Sequence, residues 1–282
     1  MRILITGSEG MLGKDLVAHL AGRHQIIPVD LPKVDITDPQ AIQSTVESQR
    51  PDVVIHTAAF TAVDECETRR DMAFRVNGDG TRHVALACRS RNVPLLYIST
   101  DYIFDGEKPS PYREDDAPRP MNVYGESKLQ GEQHVQGLMQ HFWIVRTSWL
   151  FGPQGKNFVR AIREKARGGA NLRVVHDQVG APTYTTDLAE KLELIIERGG
   201  EGIYHVTNQG YCSWFEFAQE ILRQAGLSHV PITPLPSAAS DRPAPRPKNS
   251  RLANCRLEAE GLGLLPPWQD ALRRYLARDA EA

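Results

Sequence analysis

The apolar run Arg2-Ile3-Leu4-Ile5 ends in Thr6-Gly7-Ser8-Glu9-Gly10-Met11-Leu12-Gly13, after which Leu12, Leu16, Val17 and Leu20 recur at helical spacing. A strand that turns through glycines directly into a helix is the start of a βαβ unit. The pattern repeats along the chain. Residues 25–30, 51–56, 93–99 and 142–149 read as further strands. Between them lie a helix capped by Thr37-Asp38-Pro39, a long amphipathic stretch at 71–91 and a helix at 124–140. Strands alternating with helices of this length predict right-handed crossovers and an α/β, doubly wound parallel sheet, with ligands at the carboxyl ends of its strands. After about residue 150 the rhythm loosens: helices at 157–167 and 187–198, strands at 172–175 and 202–207, a proline-rich surface loop at 231–247 and a closing helix at 268–278 describe a second, smaller lobe. The expected organisation is a first domain over 1–150 that also receives strands from about 171–208, interleaved with a lobe over 151–282.

Charge and composition narrow the partners. Thirty-three Lys plus Arg against 35 Asp plus Glu leave a net charge of -2, which gives no general attraction to nucleic acid or acidic lipid. No stretch approaches the roughly 18 uninterrupted apolar residues of a bilayer helix, and the N-terminus turns too early for a signal peptide. The expectation is a cytoplasmic protein with no membrane partner. Cys66, Cys88, Cys212 and Cys255 lie far apart without a C-x-x-C pair, so reduced thiols are expected and neither a zinc site nor a disulfide framework is indicated. A small molecule is the default ligand.

Each glycine of the loop has a physical use. Gly7 allows the tight turn, Gly10 lets the backbone approach a pyrophosphate stabilised by the helix N-terminus, and Gly13 permits close helix–strand packing. The spacing is G-x-x-G-x-x-G, and a ligand-free turn is the competing reading; placement directly after the first strand disfavours it. Asp30, ending the second strand, can hydrogen-bond an adenosine ribose, and its charge favours NAD by repelling a 2′-phosphate. Lys33 offsets part of that repulsion, so NADPH and NADH both stay open. Asp35 and Ile36 are placed to flank the adenine.

Tyr124-Gly125-Glu126-Ser127-Lys128 opens a helix and stacks Tyr124 over Lys128, four residues apart. A phenol serves acid–base chemistry at neutral pH when a neighbouring cation tunes it. Tyr97-Ile98-Ser99-Thr100-Asp101-Tyr102 ends a strand at the carboxyl edge, where Thr100 can donate to a substrate carbonyl. Thr100, Tyr124 and Lys128 are therefore the candidate catalytic set.

With the segments 58–64, 76–81, 99–106, 122–125, 146–149 and 177–183, these residues give the chain a marked family character. It resembles the extended short-chain dehydrogenase/reductases and, within them, the dTDP-4-dehydrorhamnose reductase family over nearly its whole length. The glycine loop and Y-x-x-x-K carry only the superfamily resemblance; Ser99-Thr100-Asp101-Tyr102-Ile103-Phe104-Asp105-Gly106 and Asp177-Gln178-Val179-Gly180-Ala181-Pro182-Thr183 narrow it to sugar-nucleotide 4-ketoreductases. The resemblance implies a Rossmann-type sheet with a C-terminal substrate-binding lobe. It also implies hydride delivery from NAD(P)H to C4 of a 4-keto-6-deoxy sugar, with Tyr124 protonating the alkoxide, Thr100 polarising the carbonyl and Lys128 on the nicotinamide ribose. By the same resemblance Met11, Leu12, Ala58, Ala59 and Thr61 line the cofactor beside Gly7, Gly10 and Gly13, and Asn77 braces the backbone. Tyr102 and Trp149 contact the sugar, Asn157 and Phe158 approach the nucleotide, and Arg246 meets the diphosphate.

Some relatives bind a metal at a dimer interface through glutamates after Pro-Thr, whereas Tyr184-Thr185-Thr186-Asp187 follows Thr183 here. The expectation is no metal, with a homodimer left open. Asp101 is followed by Tyr102 and not by the glutamate of sugar-nucleotide dehydratases, which argues against elimination. Other readings remain: a different sugar-nucleotide 4-ketoreductase or a C4 epimerase, and a non-catalytic cofactor-binding protein similar to the regulatory β subunit of methionine adenosyltransferase.

Overall fold

Six parallel strands form the main sheet: β1 (Arg2–Thr6), β2 (Gln25–Val29), β3 (Val53–His56), β4 (Leu95–Thr100), β5 (Phe142–Thr147) and β6 (Gly202–His205). Their order is β6-β5-β4-β3-β1-β2 in a computed structural model that describes residues 1–280. The last two residues of the expected lobe, 281–282, lie outside the described residues. β1 pairs with β2 on one side and β3 on the other, so the winding reverses there and a crevice opens at the carboxyl end of β1.

The helices are α1 (Met11–Leu20), α2 (Pro39–Gln49), α3 (Thr81–Ser90), α4 (Val123–Leu138), α5 (Phe158–Arg167), α6 (Thr185–Arg198), α7 (Trp214–Gln224) and α8 (Trp268–Ala280), with shorter turns between them. Ile3 and Ile5 of β1 face Leu12 and Leu16 of α1 and Leu188 and Leu192 of α6. Leu4, one residue out of phase, faces Ile42 and Val46 of α2 and Val84 of α3. Helices on both faces explain why β4 is buried along its whole length and reads as a continuous apolar run instead of alternating.

Gly202–His205 joins the main sheet, but Leu172–Val175, expected there as well, pairs in parallel with Ile232–Leu235 in a separate two-stranded ladder. The latter strand lies in the stretch read as a loop. Pro234 cannot donate a ladder hydrogen bond, and an edge position in a short ladder tolerates that. The ladder packs on a second core containing Phe151, Phe217, Trp268 and Tyr275. Among the described residues no helix is long and apolar enough to cross a membrane.

Candidate active site

A cleft of about 850 Å³ runs along the carboxyl ends of the strands. Its first end is the glycine loop. Gly7 has φ +71°, and a Cβ there would stand 2.6 Å from the Ala58 nitrogen; at Gly13 it would stand 2.1 Å from the Gly7 oxygen. The glycines thus let the loop fold close on itself and on Ala58, and Gly10 and Met11 at the N-terminus of α1 line the cleft, where a ligand's phosphates would be stabilised. Met11, Leu12, Ala58, Ala59 and Thr61 line this half of the cleft, together with Asp30, Asp35 and Ile36. The Asp30 carboxylate accepts from the backbone N–H groups of Glu9 and Leu31, each at 2.8 Å, which ties the loop to the end of β2. Asp35 caps its own turn by accepting from Thr37 N at 2.8 Å, and Ile36 is largely buried. Met72, Arg75 and Val76 also line this end. They sit in an irregular helical stretch; Val76 opens the 76–81 segment, whereas no motif in the sequence points to Met72 or Arg75.

At the other end α4 is seated against the Thr100–Tyr102 segment. Asn122 caps the helix by accepting from Gly125 N at 2.8 Å, and a Cβ on Gly125 would stand 2.1 Å from the Tyr102 oxygen. Close approach at Gly125 therefore brings Tyr124 and Lys128 beside Thr100. The Thr100 hydroxyl donates to Asp101 Oδ1 at 3.1 Å and accepts from Tyr102 N. The Tyr102 and Tyr124 rings meet edge to face at 6.0 Å. Burial raises the Tyr124 phenol well above its ordinary range, against the lowering effect of a hydrogen bond with Thr100. Lys128 Nζ donates to the Ile98 carbonyl at 2.7 Å and sits 4.1 Å over the Tyr97 ring. Burial brings its pKa down to about 7, against the opposing pull of Glu132. Burial also pushes Asp101 up to about 7.

Asn77 lies in a π-helical turn, Phe74–Gly80. Its amide accepts from Phe60 N at 2.7 Å and donates to Phe60 O at 3.0 Å and to Ser127 Oγ at 2.9 Å, joining the loop after β3 to α4. The buried hydroxyls of Ser99 and Thr147 line the cleft and have no protein partner among the described residues. A polar ligand group would satisfy them. The glycine cradle at one end and these hydroxyls at the other fit a bound dinucleotide.

A second cavity, about 780 Å³, adjoins the first and is bordered by Lys156, Lys165, Arg173 and Arg242. Asn157 and Phe158 line it, as expected, but the Asn157 side chain is the N-cap of α5: Oδ1 accepts from Arg160 N at 3.0 Å and Nδ2 donates to Gly152 O at 2.8 Å. Both of its polar atoms serve the fold. Arg246 also borders the cavity, with two nitrogens on the Asp64 carboxylate at 2.9 Å each. Partial burial raises the Asp64 carboxyl, but hydrogen bonds from Arg246 and the Ala244 backbone, together with the charges of Arg246 and Arg242, outweigh it and hold the group below its ordinary range. Trp149 lines the first cavity, stacked on Trp214, which borders both. Trp214 belongs to none of the motifs above, although Ser213 and Glu216 around it form a capping box that announces a helix start.

In the segment after Thr183, both Asp187 oxygens are taken by Arg274, at 2.6 and 2.7 Å, and Thr185 hydrogen-bonds Asp15. Elsewhere His24, Glu193 and Glu197 bring donor atoms within 4.8 Å of one another, but Glu193 already pairs with Arg23 and His19.

A family model described as the RmlD substrate binding domain matches residues 1–281. The chain belongs to that family. It is 42% identical to a dTDP-4-dehydrorhamnose reductase of Streptomyces griseus over 96% of this chain and 91% of the relative. It is 36% identical to a dTDP-4-keto-6-deoxy-D-glucose reductase of Streptomyces niveus, over 96% and 95%. The dTDP-4-dehydrorhamnose reductase of Bacillus anthracis, solved in complex with NADP, matches with a TM-score of 0.96 at 40% identity over 98% and 99% of the two chains. The family's doubly wound sheet is the one described above, and its cofactor is a nicotinamide dinucleotide.

Proposed function

We propose that this protein reduces the C4 keto group of dTDP-4-dehydro-β-L-rhamnose to dTDP-L-rhamnose with NADPH or NADH. The observation that carries the reading is the convergence of Thr100, Tyr124 and Lys128 at one end of a cleft whose other end is a phosphate cradle, beside a second cavity bordered by cations. A dinucleotide fits the first space, and the nucleoside diphosphate of a sugar nucleotide fits the second. The names of the relatives support the same substrate.

The glycine loop, Asp30, Ala58 and Ala59 would hold the cofactor, which supplies a hydride when bound. Tyr124 is kept protonated across the neutral range by burial, which is the form a reduction needs: the phenol gives its proton to the oxygen on C4 as the carbonyl becomes an alcohol. Thr100 turns its hydroxyl from Asp101 to the carbonyl oxygen and polarises it. Lys128, one turn along α4 from Tyr124 in the same cleft, would supply positive charge that stabilises the tyrosinate left behind.

The test follows the absorbance of the reduced nicotinamide with purified protein, each cofactor in turn, and dTDP-4-dehydro-β-L-rhamnose made in situ. Cofactor oxidation with formation of dTDP-L-rhamnose is expected. Tight NADPH binding without oxidation would overturn the reading.

The same assay carries a pH prediction. The charged form of Lys128 exists below its pKa of about 7 in the free protein, so kcat/KM for reduction should fall as pH rises through that value. Asp101 titrates over the same range, and two variants separate the groups. Lys128→Met removes the alkaline limb from whatever activity is left, whereas Asp101→Asn keeps it. A limb that survives in Lys128→Met would assign it to another group.

A further inference from the structure

Trp149 follows β5 in the left-handed region, φ +48°, a conformation that is strained for a bulky side chain and persists only when its surroundings hold it. Two contacts do so. Its ring lies face to face on Trp214, with centroids 3.5 Å apart and planes within 9°. Gly180, in the two-residue strand Val179–Gly180 that pairs with Cys212–Ser213, leaves the space the indole fills, since a Cβ there would stand 2.5 Å from Trp149 Cε2. Trp214 is itself fixed as the first residue of α7, behind the Ser213 capping box, and Phe158 leans on it at 4.6 Å. Among the described residues, Tyr102 and Trp214 are common to the linings of both cavities. A ligand whose reacting carbon meets Tyr124 while its nucleotide occupies the second cavity must pass between these two rings.

We propose that Trp214 is a positioning and specificity residue of the keto-sugar site: it props Trp149 in its strained conformation and, opposite Tyr102, forms the aromatic passage that holds the hexose. This rests on the sugar-nucleotide reading of the two cavities. Stacked ring faces suit the C–H surface of a deoxy sugar, and they add to binding only when the hexose is present. Trp214 therefore discriminates between a sugar nucleotide and the bare nucleoside diphosphate.

Wild type, Trp214→Leu and Trp214→Phe are compared for turnover of the keto-sugar nucleotide and for binding of dTDP and NADPH. Trp214→Leu should raise KM for the keto sugar about ten-fold, with kcat changed less than about three-fold and the Kd values of dTDP and NADPH within about two-fold. Trp214→Phe should recover most of the KM. An unchanged KM, or a dTDP Kd that rises by the same factor, would overturn the proposal. A second measurement needs no variant. Parallel indoles in contact give an exciton couplet in circular dichroism, which dTDP-L-rhamnose should alter and dTDP alone should not; a couplet indifferent to both overturns the proposal even if Trp214→Leu fails to fold. A wild type that does not reduce the keto sugar overturns the function reading and this proposal together. An active wild type beside an indifferent Trp214→Leu overturns this proposal alone.

Discussion

Tyr124→Phe is expected to lower kcat by about 10²–10⁴-fold while the Kd for NADPH stays within about two-fold, because only the proton donor is lost. Phenylalanine keeps the ring that meets Tyr102 edge to face at 6.0 Å, so the walls of the cleft stay in place. It removes the phenol that shares a hydrogen bond with Thr100 and stays protonated at neutral pH. Asp101 is the nearest other acid, but its carboxyl is bound to the Thr100 hydroxyl. Single-turnover measurement with saturating NADPH isolates the chemical step from product release. An unchanged rate in that experiment would remove Tyr124 from proton transfer and leave Thr100 or water as the donor.

The parts of this molecule that were legible in the sequence are those whose physics is local. The glycine loop could be read because Gly10 and Gly13 meet their constraint within the loop, at Gly7, even though the atoms that crowd Gly7 belong to Thr57 and Ala58. Tyr124 and Lys128 could be paired because helical spacing puts them one turn apart. The ladder of Leu172–Val175 with Ile232–Leu235 could not, since each strand has four residues, one carries a proline, and only a distant partner gives it strand character. The same holds for Arg246, whose partner Asp64 lies 182 residues away: the arginine type suggests an anion, but nothing in the sequence says the protein provides one. Asn157 is a different case. An asparagine just before an amphipathic run carries the ordinary N-cap signal, and that local role, not a ligand, accounts for both its hydrogen bonds.

The largest expected loss of stability also arises from a distant pair. Arg146 on β5 is 2% exposed and holds the fully buried Glu132 of α4 through two hydrogen bonds, 3.0 and 2.8 Å long. Its guanidinium also lies 5.4 Å over the Phe104 ring and donates to Glu114 O. Arg146→Met removes one charge and strands the other, which should cost about 3–5 kcal/mol. In a chain of this size that is on the order of 10 °C in Tm. The double variant Arg146→Met with Glu132→Leu should recover much of the loss, because it leaves no unpaired charge in the interior. Thermal unfolding of the two single variants and the double one decides this; a double variant no more stable than Arg146→Met would mean that packing around the guanidinium, not the stranded carboxylate, dominates. The pair also bears on the chemistry. Glu132 lies one turn beyond Lys128 and is the charge that opposes the lowering of its pKa. The recovered double variant should therefore fold well yet show the alkaline fall in kcat/KM at lower pH than the wild type, since its lysine gives up the proton more readily.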